Sequence, residues 1–255
     1  MMTESNKAIY FASDFHFGIP DREGSLEREK KFIRWLDEIK ADASAIYLMG
    51  DLFDFWYEYK TVVPKGYVRM LGKLAEITGS GISIHLFRGN HDLWAFSYLK
   101  DEIGIEIHRK PVITQFGSKK FFLAHGDGLG PGDYSYKFMK KVFECRLNQW
   151  LYRWIHPDLG TRLGSYFSRR SRLTKMLKGK GEINRRVPVE QEPMIILSRD
   201  MAKKDNTIDY FIFGHVHFPD VIEVSPTAKT VILGDWVSHF TYARFDGETV
   251  ELKQF

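Results

Sequence analysis

The chain has 255 residues, of which 44% are hydrophobic and 27% are charged, and its formal net charge at pH 7 is +4. This composition excludes a disordered chain and a fibrous repeat, and the lack of any run of about 18 apolar residues excludes an integral membrane protein. The single cysteine, Cys145, excludes an internal disulfide and a thiolate metal cluster and is typical of a reducing cytoplasm. The polar start, Met1–Lys7, predicts no export.

Short apolar strands alternate with amphipathic helices along the first half of the chain. In chain order we predict strand Ala8–Ala12, helix Leu26–Ile39, strand Ala45–Met49, helix Val68–Ile77, strand Ile82–Phe87, helix Trp94–Lys100, and strands Ile105–Thr114 and Lys119–Ala124. This spacing predicts parallel strands with helices packed on them, which is an α/β fold.

The pattern changes after Gly132. Aromatic and basic residues recur at helical spacing over Tyr134–Arg170, and residues 134–190 hold fourteen Lys and Arg against four Asp and Glu, a net charge of +10 that leaves −6 for the rest. Further on we predict helix Met194–Lys203, strand Tyr210–Phe213 and hairpin strands Val221–Val224, Thr230–Leu233, Phe240–Phe245 and Thr249–Leu252. We therefore expect one domain over residues 1–255, with a basic helical insertion at about 134–190 that faces an anionic partner.

Five short segments place metal-binding side chains directly after predicted strands. They are Asp14-Phe15-His16, Gly50-Asp51, Gly89-Asn90-His91-Asp92, His125-Gly126-Asp127 and Gly214-His215-Val216-His217. Ligands gather at the carboxyl ends of parallel strands, so we expect these side chains to meet. Alternate residues of an extended chain point the same way, so Asp14 with His16, and His215 with His217, are each expected to converge on one ion.

The donors are carboxylates, imidazoles and an amide oxygen, without sulfur, which suits manganese, iron, zinc or cobalt. Seven candidate ligands are too many for one ion and fit two, with Asp51 as the expected bridge. Each motif alone is weak, and only the set of five is specific. His85, within a strand pattern, and His108 and His156, without a partner motif, are interpreted as structural residues.

The series D-x-H, GD, GNHD, H and GHVH, from Asp14 to His217, resembles the calcineurin-like metallophosphoesterases. The resemblance implies a four-layer αββα sandwich that holds two divalent cations, with Mn²⁺ expected first and Fe²⁺, Zn²⁺ or Co²⁺ as alternatives. Carried over position by position, one metal is held by Asp14, His16, Asp51 and His217, and the other by Asp51, Asn90, His125 and His215.

Narrower motifs resemble the UDP-2,3-diacylglucosamine pyrophosphatases of lipid A biosynthesis. They are Gly50-Asp51-Leu52-Phe53-Asp54-Phe55-Trp56, His125-Gly126-Asp127 with Leu129 and Asp133, the basic helical segment, and Leu233-Gly234-Asp235-Trp236. This resemblance implies hydrolysis of the pyrophosphate of UDP-2,3-diacylglucosamine to UMP and 2,3-diacylglucosamine 1-phosphate. Two positions depart from the pattern: His91 stands where the best-known members have arginine, and Val216 where threonine is usual.

Three residues are expected to act in the reaction. Asp51 bridges the metals, His91 stabilises the transferring phosphoryl group or protonates an alkoxide leaving group, and Asp92 orients His91. The expected substrate contacts are Asn90, His91, Asp133, Arg172, Lys175 and His215. In the helical segment an apolar slot for acyl chains is expected from Tyr136, Phe138, Met139, Phe143, Trp150, Leu151, Trp154 and Ile155. Cations for the phosphates are expected from Arg169, Arg170, Arg172, Lys175 and Lys178.

Two alternatives keep the same residues but change the function. One is a soluble metallophosphodiesterase or phosphomonoesterase, for which His91 as an acid would be natural. The other is a non-catalytic module whose basic helices bind an anionic ligand or a membrane. For the leading hypothesis we expect a cytoplasmic protein in peripheral contact with the inner membrane, a lipid-linked nucleotide sugar as substrate, and no nucleic-acid partner.

Overall fold

The structure is a computed structural model that describes residues 7–178 and 188–255, with side chains described for residues 7–170 and 188–255. Within those ranges, none of the helices combines the length and the apolar character needed to cross a membrane.

A six-stranded sheet forms one inner layer. Its spatial order is β11 (Val250–Gln254), β10 (Thr241–Phe245), β1 (Ala8–Ala12), β2 (Ala43–Leu48), β3 (Ser83–Phe87) and β4 (Glu106–His108). Strands β1 to β4 are parallel, and β10 and β11 are antiparallel to their neighbours. The outer face is covered by helices α1 (Arg22–Ile39), α2 (Val68–Gly79) and α3 (Tyr98–Ile103). Phe32 of α1 and Leu74 of α2 share a buried cluster with Ile46 and Ile84 of the strands.

A five-stranded sheet forms the second inner layer. Its order is β5 (Val112–Phe116), β6 (Lys119–Ala124), β7 (Tyr210–Phe213), β9 (Lys229–Ile232) and β8 (Asp220–Glu223). Strands β6, β7 and β9 are parallel. Helix α7 (Pro193–Lys204) covers the outer face, where its Met194 and Ala202 pack with Phe122 and Phe211.

The two sheets pack face to face through an apolar core. Phe11 and Tyr47 of the first sheet lie with Phe121 and Ile212 of the second, and the Phe11 and Phe121 rings are stacked with centroids 6.1 Å apart. Helices on both outer faces complete four layers, which confirms the predicted αββα architecture.

In the described part of the basic segment there are three consecutive helices, α4 (Tyr134–Glu144), α5 (Arg146–Arg153) and α6 (Pro157–Lys178). A 3₁₀ turn at Val189–Gln191 comes later in the chain. The residues at helical spacing over Tyr134–Arg170 therefore belong to three helices with two breaks between them. Cys145 has extended backbone angles, and α6 starts at Pro157, where a proline is tolerated because the first helical N–H is unpaired anyway. None of the residues of α4 and α5 is buried.

One predicted strand is wrong. The stretch Ile105–Thr114 is divided between β4 of the first sheet and β5 of the second. Pro111, which has no N–H to donate to a ladder, lies in the crossover between them. Each of the other predicted strands overlaps an observed strand.

Candidate metal centre

Five loops, each at the carboxyl end of a parallel strand, bring the predicted ligands together. They follow β1, β2, β3, β6 and β7, so both sheets contribute to one site. In the interior of the site Asp14, His16, Asp51 and His125 are all buried, between 0 and 3% exposed. Such burial of carboxylates and imidazoles is costly unless they are paired or coordinate a metal.

The first group joins Asp14, His16 and His217. Asp14 Oδ1 lies 3.6 Å from His16 Nε2 and 3.3 Å from His217 Nε2, and the two ring nitrogens are 3.3 Å apart. Asp14 Oδ1 is buried and accepts no hydrogen bond, whereas Oδ2 is held by the Ser13 hydroxyl at 2.6 Å and the His215 N–H at 2.9 Å. One carboxylate oxygen is thus fixed by the protein and the other is left for an ion.

The second group joins Asp51, His125 and His215, whose ligand atoms lie within 4.8 Å of one another. Asn90 Oδ1 is 3.4 Å from His125 Nε2. His125 Nδ1 lies 2.7 Å from the Met49 carbonyl, which only accepts, so Nδ1 carries the proton and Nε2 is the coordinating atom.

Asp51 lies between the two groups. Its Oδ2 is 3.8 Å from His16 Nε2 and 3.5 Å from His125 Nε2, while Oδ1 accepts the backbone N–H of His91 at 2.8 Å. The Asp14 oxygen without a hydrogen bond, the converging ring nitrogens and the carboxylate of Asp51 between the groups suit two divalent cations bound by oxygen and nitrogen donors.

Several of these residues have strained backbones. Asp14, His16, Asp51 and His215 all have φ between 46° and 64°, a left-handed conformation that is rare for residues other than glycine. The expectation that His215 and His217 converge on one ion is wrong. The left-handed turn at His215 ends the alternation of a strand, so His215 faces Asp51 and His217 faces Asp14.

The charges of the site shift the pKa values of its members. Burial disfavours a charged His125, but the negative charge of Asp51 outweighs it and raises the pKa of His125 to about 10. Burial acts likewise on His217, whose pKa is raised to about 9 by Asp14 and Asp235. Burial opposes ionisation of Asp14, yet His16 and His217 hold its pKa well below the usual range. The buried carboxylates are therefore stabilised by positive charge nearby. Cations that bind here must displace protons from the imidazoles of His125 and His217.

Asp92 does not orient His91, contrary to the sequence prediction. Its Oδ1 accepts the N–H of Gly89 at 2.7 Å and its Oδ2 accepts the N–H of Leu52 at 2.8 Å. This buried carboxylate therefore ties the loop of Asp51 to the loop of Asn90. Burial, together with the charge of Asp51, raises the pKa of Asp92 to about 7.

His91 instead contacts the helical segment. Its Nδ1 lies 2.8 Å from the carbonyl of Asp54 and 2.9 Å from the hydroxyl of Ser168 on α6. Since the carbonyl can only accept, Nδ1 carries the proton. The Ser168 hydroxyl thus accepts from His91 and donates its own hydrogen to Asp54 Oδ2 at 2.8 Å, so one hydroxyl links α6 to both residues.

Sequence reasoning missed three supporting side chains. Asp235 Oδ2 lies 3.3 Å from His217 Nδ1, and Asp54 Oδ1 lies 3.7 Å from His16 Nδ1, where each carboxylate can orient its imidazole. Buried Arg28 donates from Nη1 to the carbonyls of Phe15, His16 and Ile19, at 3.3, 3.1 and 3.1 Å. Asp54 and Asp235 lie within the GDLFDFW and LGDW motifs, which could have pointed to them; no sequence signal marks Arg28.

Three predicted substrate contacts are not among the residues that the loops bring together. Asp133 is exposed at the start of α4, with a left-handed backbone and no capping hydrogen bond from its side chain. Arg172 and Lys175 belong to α6 but lie outside the range of described side chains. The loop after His125 is instead joined to α4 by Asp127, which accepts hydrogen bonds from Tyr136 and Lys140.

An αββα sandwich with two adjacent His/Asp groups at the strand ends, and Asp51 between them, is consistent with a dinuclear metal site of a hydrolase. The model of the calcineurin-like phosphoesterase family matches residues 7–219, and the chain belongs to that family. It is a metal-dependent phosphoesterase.

Known relatives span nearly the whole chain. A protein of Porphyromonas gingivalis (strain ATCC BAA-308 / W83) named UDP-2,3-diacylglucosamine hydrolase is 36% identical over 256 residues, covering 96% of each chain. A protein of the same name from Pseudomonas fluorescens is 25% identical over 252 residues, covering 97% of this chain and 94% of that one. Among solved structures, the phosphoesterase Yfce from E. coli superposes with a TM-score of 0.43 at 16% identity, covering 97% of this chain and 92% of that chain.

Proposed function

We propose that this phosphoesterase hydrolyses the pyrophosphate bond of UDP-2,3-diacylglucosamine, releasing UMP and 2,3-diacylglucosamine 1-phosphate. The observation that carries the proposal is the contact of α6 with the metal centre through Ser168, because it joins an exposed apolar helical surface to the chemical site. The names of relatives that match along the whole chain support the same substrate.

In this proposal Asp14, His16, Asp51 and His217 hold one cation, and Asp51, Asn90, His125 and His215 hold the other, with Mn²⁺ as the metal. When bound, the two cations supply Lewis-acid activation of water and of the phosphoryl group. The protein fixes the ligands: Ser13 holds Asp14 and the Met49 carbonyl holds His125, so little reorganisation is needed during the reaction.

The His91 ring lies at the edge of the centre. Its centroid is 4.8 Å from that of His16, and its side chain is 13% exposed. With Nδ1 engaged by the Asp54 carbonyl and Ser168, Nε2 is the atom available to the substrate. As an imidazolium it would donate to the transferring phosphoryl group, from the position where the best-known UDP-2,3-diacylglucosamine pyrophosphatases have arginine.

The helical segment supplies the proposed lipid surface. Of the seventeen exposed large hydrophobic residues in the described chain, twelve belong to this segment: Tyr134, Phe138, Met139, Phe143, Leu147, Trp150, Leu151, Trp154, Leu159, Leu163, Tyr166 and Phe167. So much exposed apolar surface is typical of an interaction site. Arg169 and Arg170 are exposed on α6 and can meet phosphates. We therefore propose that residues 134–190 are an insertion in a single domain, which binds acyl chains and contacts the cytoplasmic face of the membrane.

Substrate preference tests the proposal. With Mn²⁺, we expect rapid UMP release from UDP-2,3-diacylglucosamine and little turnover of bis-p-nitrophenyl phosphate. A double variant Trp150→Ala, Trp154→Ala should raise KM for the lipid substrate and leave turnover of the small diester unchanged. Val221→Ala, which removes an exposed apolar side chain from β8, is the matched control. Equal effects of the double variant on both substrates would contradict the lipid role.

The bridging role of Asp51 has its own test. Asp51→Ala should abolish metal-dependent turnover and leave the fold intact, as checked by circular dichroism. Asp37→Ala removes an exposed carboxylate of α1 that is paired with Lys40 and Lys73, and should retain full activity. Retained turnover in Asp51→Ala would refute the bridging assignment.

One observation favours a second candidate, a soluble phosphodiesterase or phosphomonoesterase. Because the Nδ1 proton of His91 is held by Asp54, a second proton on Nε2 could be given to an alkoxide leaving group. Efficient turnover of small phosphodiesters, with no preference for the lipid-linked substrate, would favour this candidate. A non-catalytic module is not proposed, because both ligand groups are intact.

A further inference from the structure

A second histidine–carboxylate cluster lies away from the loops of the metal centre. It is formed by His85 in the middle of β3 and by Glu106 and His108 on the edge strand β4. In the parallel ladder His85 is opposite Glu106, and His108 follows two residues later, so all three point to the same face of the sheet.

The ligand atoms of the three residues converge. His85 Nδ1 is 3.1 Å from His108 Nε2 and 3.3 Å from Glu106 Oε2, and His108 Nε2 is 3.9 Å from Glu106 Oε1. Two imidazole nitrogens and a carboxylate within 4.8 Å of one another match the spacing of donors around a single ion.

Stacking fixes both rings on the sheet. His85 lies against Tyr47 with centroids 4.3 Å apart and planes 9° apart, and His108 lies against Phe87 at 4.7 Å and 22°. Tyr47 and Phe87 belong to the core between the two sheets, so the imidazoles have a rigid support. Because the rings are already held in place, the histidine side chains lose less conformational entropy when an ion binds.

The cluster is open on one side. The histidine side chains are 15 and 16% exposed, whereas Glu106 is 64% exposed, so an ion can enter from solvent on the carboxylate side. Burial lowers the pKa of both histidines, although the charge of Glu106 opposes this shift. The lowered pKa keeps the rings neutral near pH 7. Neutral imidazole is the form that coordinates metals.

We propose that His85, Glu106 and His108 form a third divalent-cation site, separate from the dinuclear centre, with Zn²⁺ as the ion that it fits best. Two imidazoles, one carboxylate and a water complete the tetrahedral shell that zinc prefers. The ion cross-links the three-residue strand β4 to β3 just before the chain crosses to the other sheet. This site therefore stabilises the edge of the sheet and takes no part in hydrolysis.

Metal stoichiometry tests this proposal on the full chain. After removal of metals with a chelator, equilibrium dialysis against Zn²⁺ should load three equivalents per chain. His85→Gln combined with His108→Gln should load two and retain the Mn²⁺-dependent turnover of the unmodified chain. His156→Gln, which changes an exposed histidine before α6, is the matched control and should load three.

A milder variant covers the case in which the double variant fails to fold. Glu106→Gln removes the charge of a proposed ligand on an exposed side chain. It should weaken binding of the third equivalent by at least the roughly tenfold that loss of an outer-shell partner costs, without changing the other two. X-ray absorption of the third equivalent should show two imidazole ligands. If the unmodified chain loads only two equivalents, or if Glu106→Gln loads the third as tightly, the cluster is a hydrogen-bonded histidine pair and the proposal is wrong.

Discussion

Gly89→Ala is predicted to disable the metal centre although glycine is not a ligand. A Cβ at Gly89 would overlap Asp51 Oδ1 and lie 2.5 Å from the Asp51 nitrogen and 2.8 Å from its Cγ, whereas ordinary contacts start at 3.4 Å. Asp51 cannot move away freely because the His91 N–H holds its Oδ1 at 2.8 Å. The loop or the carboxylate must therefore shift by about 1 Å.

The size of the loss follows from this shift. A misplacement of about 1 Å in a reacting group costs about 10²-fold in rate, which corresponds to about 2.7 kcal/mol of transition-state stabilisation. The overlap also resembles overpacking of a core, which lowers the free energy of unfolding by about 1–3 kcal/mol. In a chain of this size we expect the Tm to fall by roughly 2–12 °C.

The assay compares Gly89→Ala with Gly72→Ala on the exposed face of α2, where an added Cβ meets nothing within 4 Å. Mn²⁺-dependent kcat/KM, metal content and Tm are measured for both. Gly72→Ala should keep full turnover, and its Tm should stay the same or rise because alanine favours the helix. Full turnover and full metal content in Gly89→Ala would refute the close approach of Gly89 to the Asp51 carboxylate.

Three further predictions concern the support of the site, the metals and the core. Ser168→Ala should lower kcat/KM by about tenfold without loss of metal, because His91 and Asp54 each lose their hydrogen bond to the same hydroxyl. Ser165→Ala on the same helix should leave kcat/KM unchanged, and equal kinetics for the two variants would contradict the role of Ser168. Chelation should lower the Tm, and Mn²⁺ at 100 times its Kd should restore about 2.7 kcal/mol, or roughly 5–10 °C by calorimetry; an unchanged Tm would argue against bound metals. Burial, with a smaller effect of the Glu106 charge, raises the pKa of Tyr47 from 10.0 to about 12, so the unfolded chain ionises first and stability falls as the pH rises from 10 to 12. Tyr47→Phe should lose less stability over that range in urea unfolding, and an equal loss would show that Tyr47 is not involved.

The strand-end positions of the ligands could be predicted because each depends on a few neighbouring residues. An apolar strand followed by Gly50-Asp51 or by His125 shows, from neighbouring residues alone, that the side chain lies at the carboxyl end of that strand. Because the strands are parallel, these ends meet at one site. The supporting contacts could not be predicted in this way. Ser168 meets His91 across 77 positions of sequence, and nothing near either residue indicates the other.

The same limit explains the cluster on β3 and β4. His85 and His108 have no motif, and a strand predicted to run from Ile105 to Thr114 gives no register against β3. Only the observed pairing of His85 with Glu106 places the two imidazoles 3.1 Å apart. When each histidine is considered alone it is interpreted as a structural residue, because its contact with Glu106 arises only from the pairing of the two strands.

The error at His215 has a different cause, which concerns where local rules fail. The alternation rule assumes extended backbone, but His215 has a φ of 64° and the neighbouring ligands Asp14 and Asp51 have φ of 59° and 52°. Each such conformation costs about 1–3 kcal/mol and persists only where the surroundings impose it. At this turn the surroundings include Asp14 Oδ2, which accepts the His215 N–H and so holds the turn that separates His215 from His217. His215, where the strand rule fails, is therefore the residue that places His215 and His217 in different donor groups, because alternation alone would have placed both in the same group.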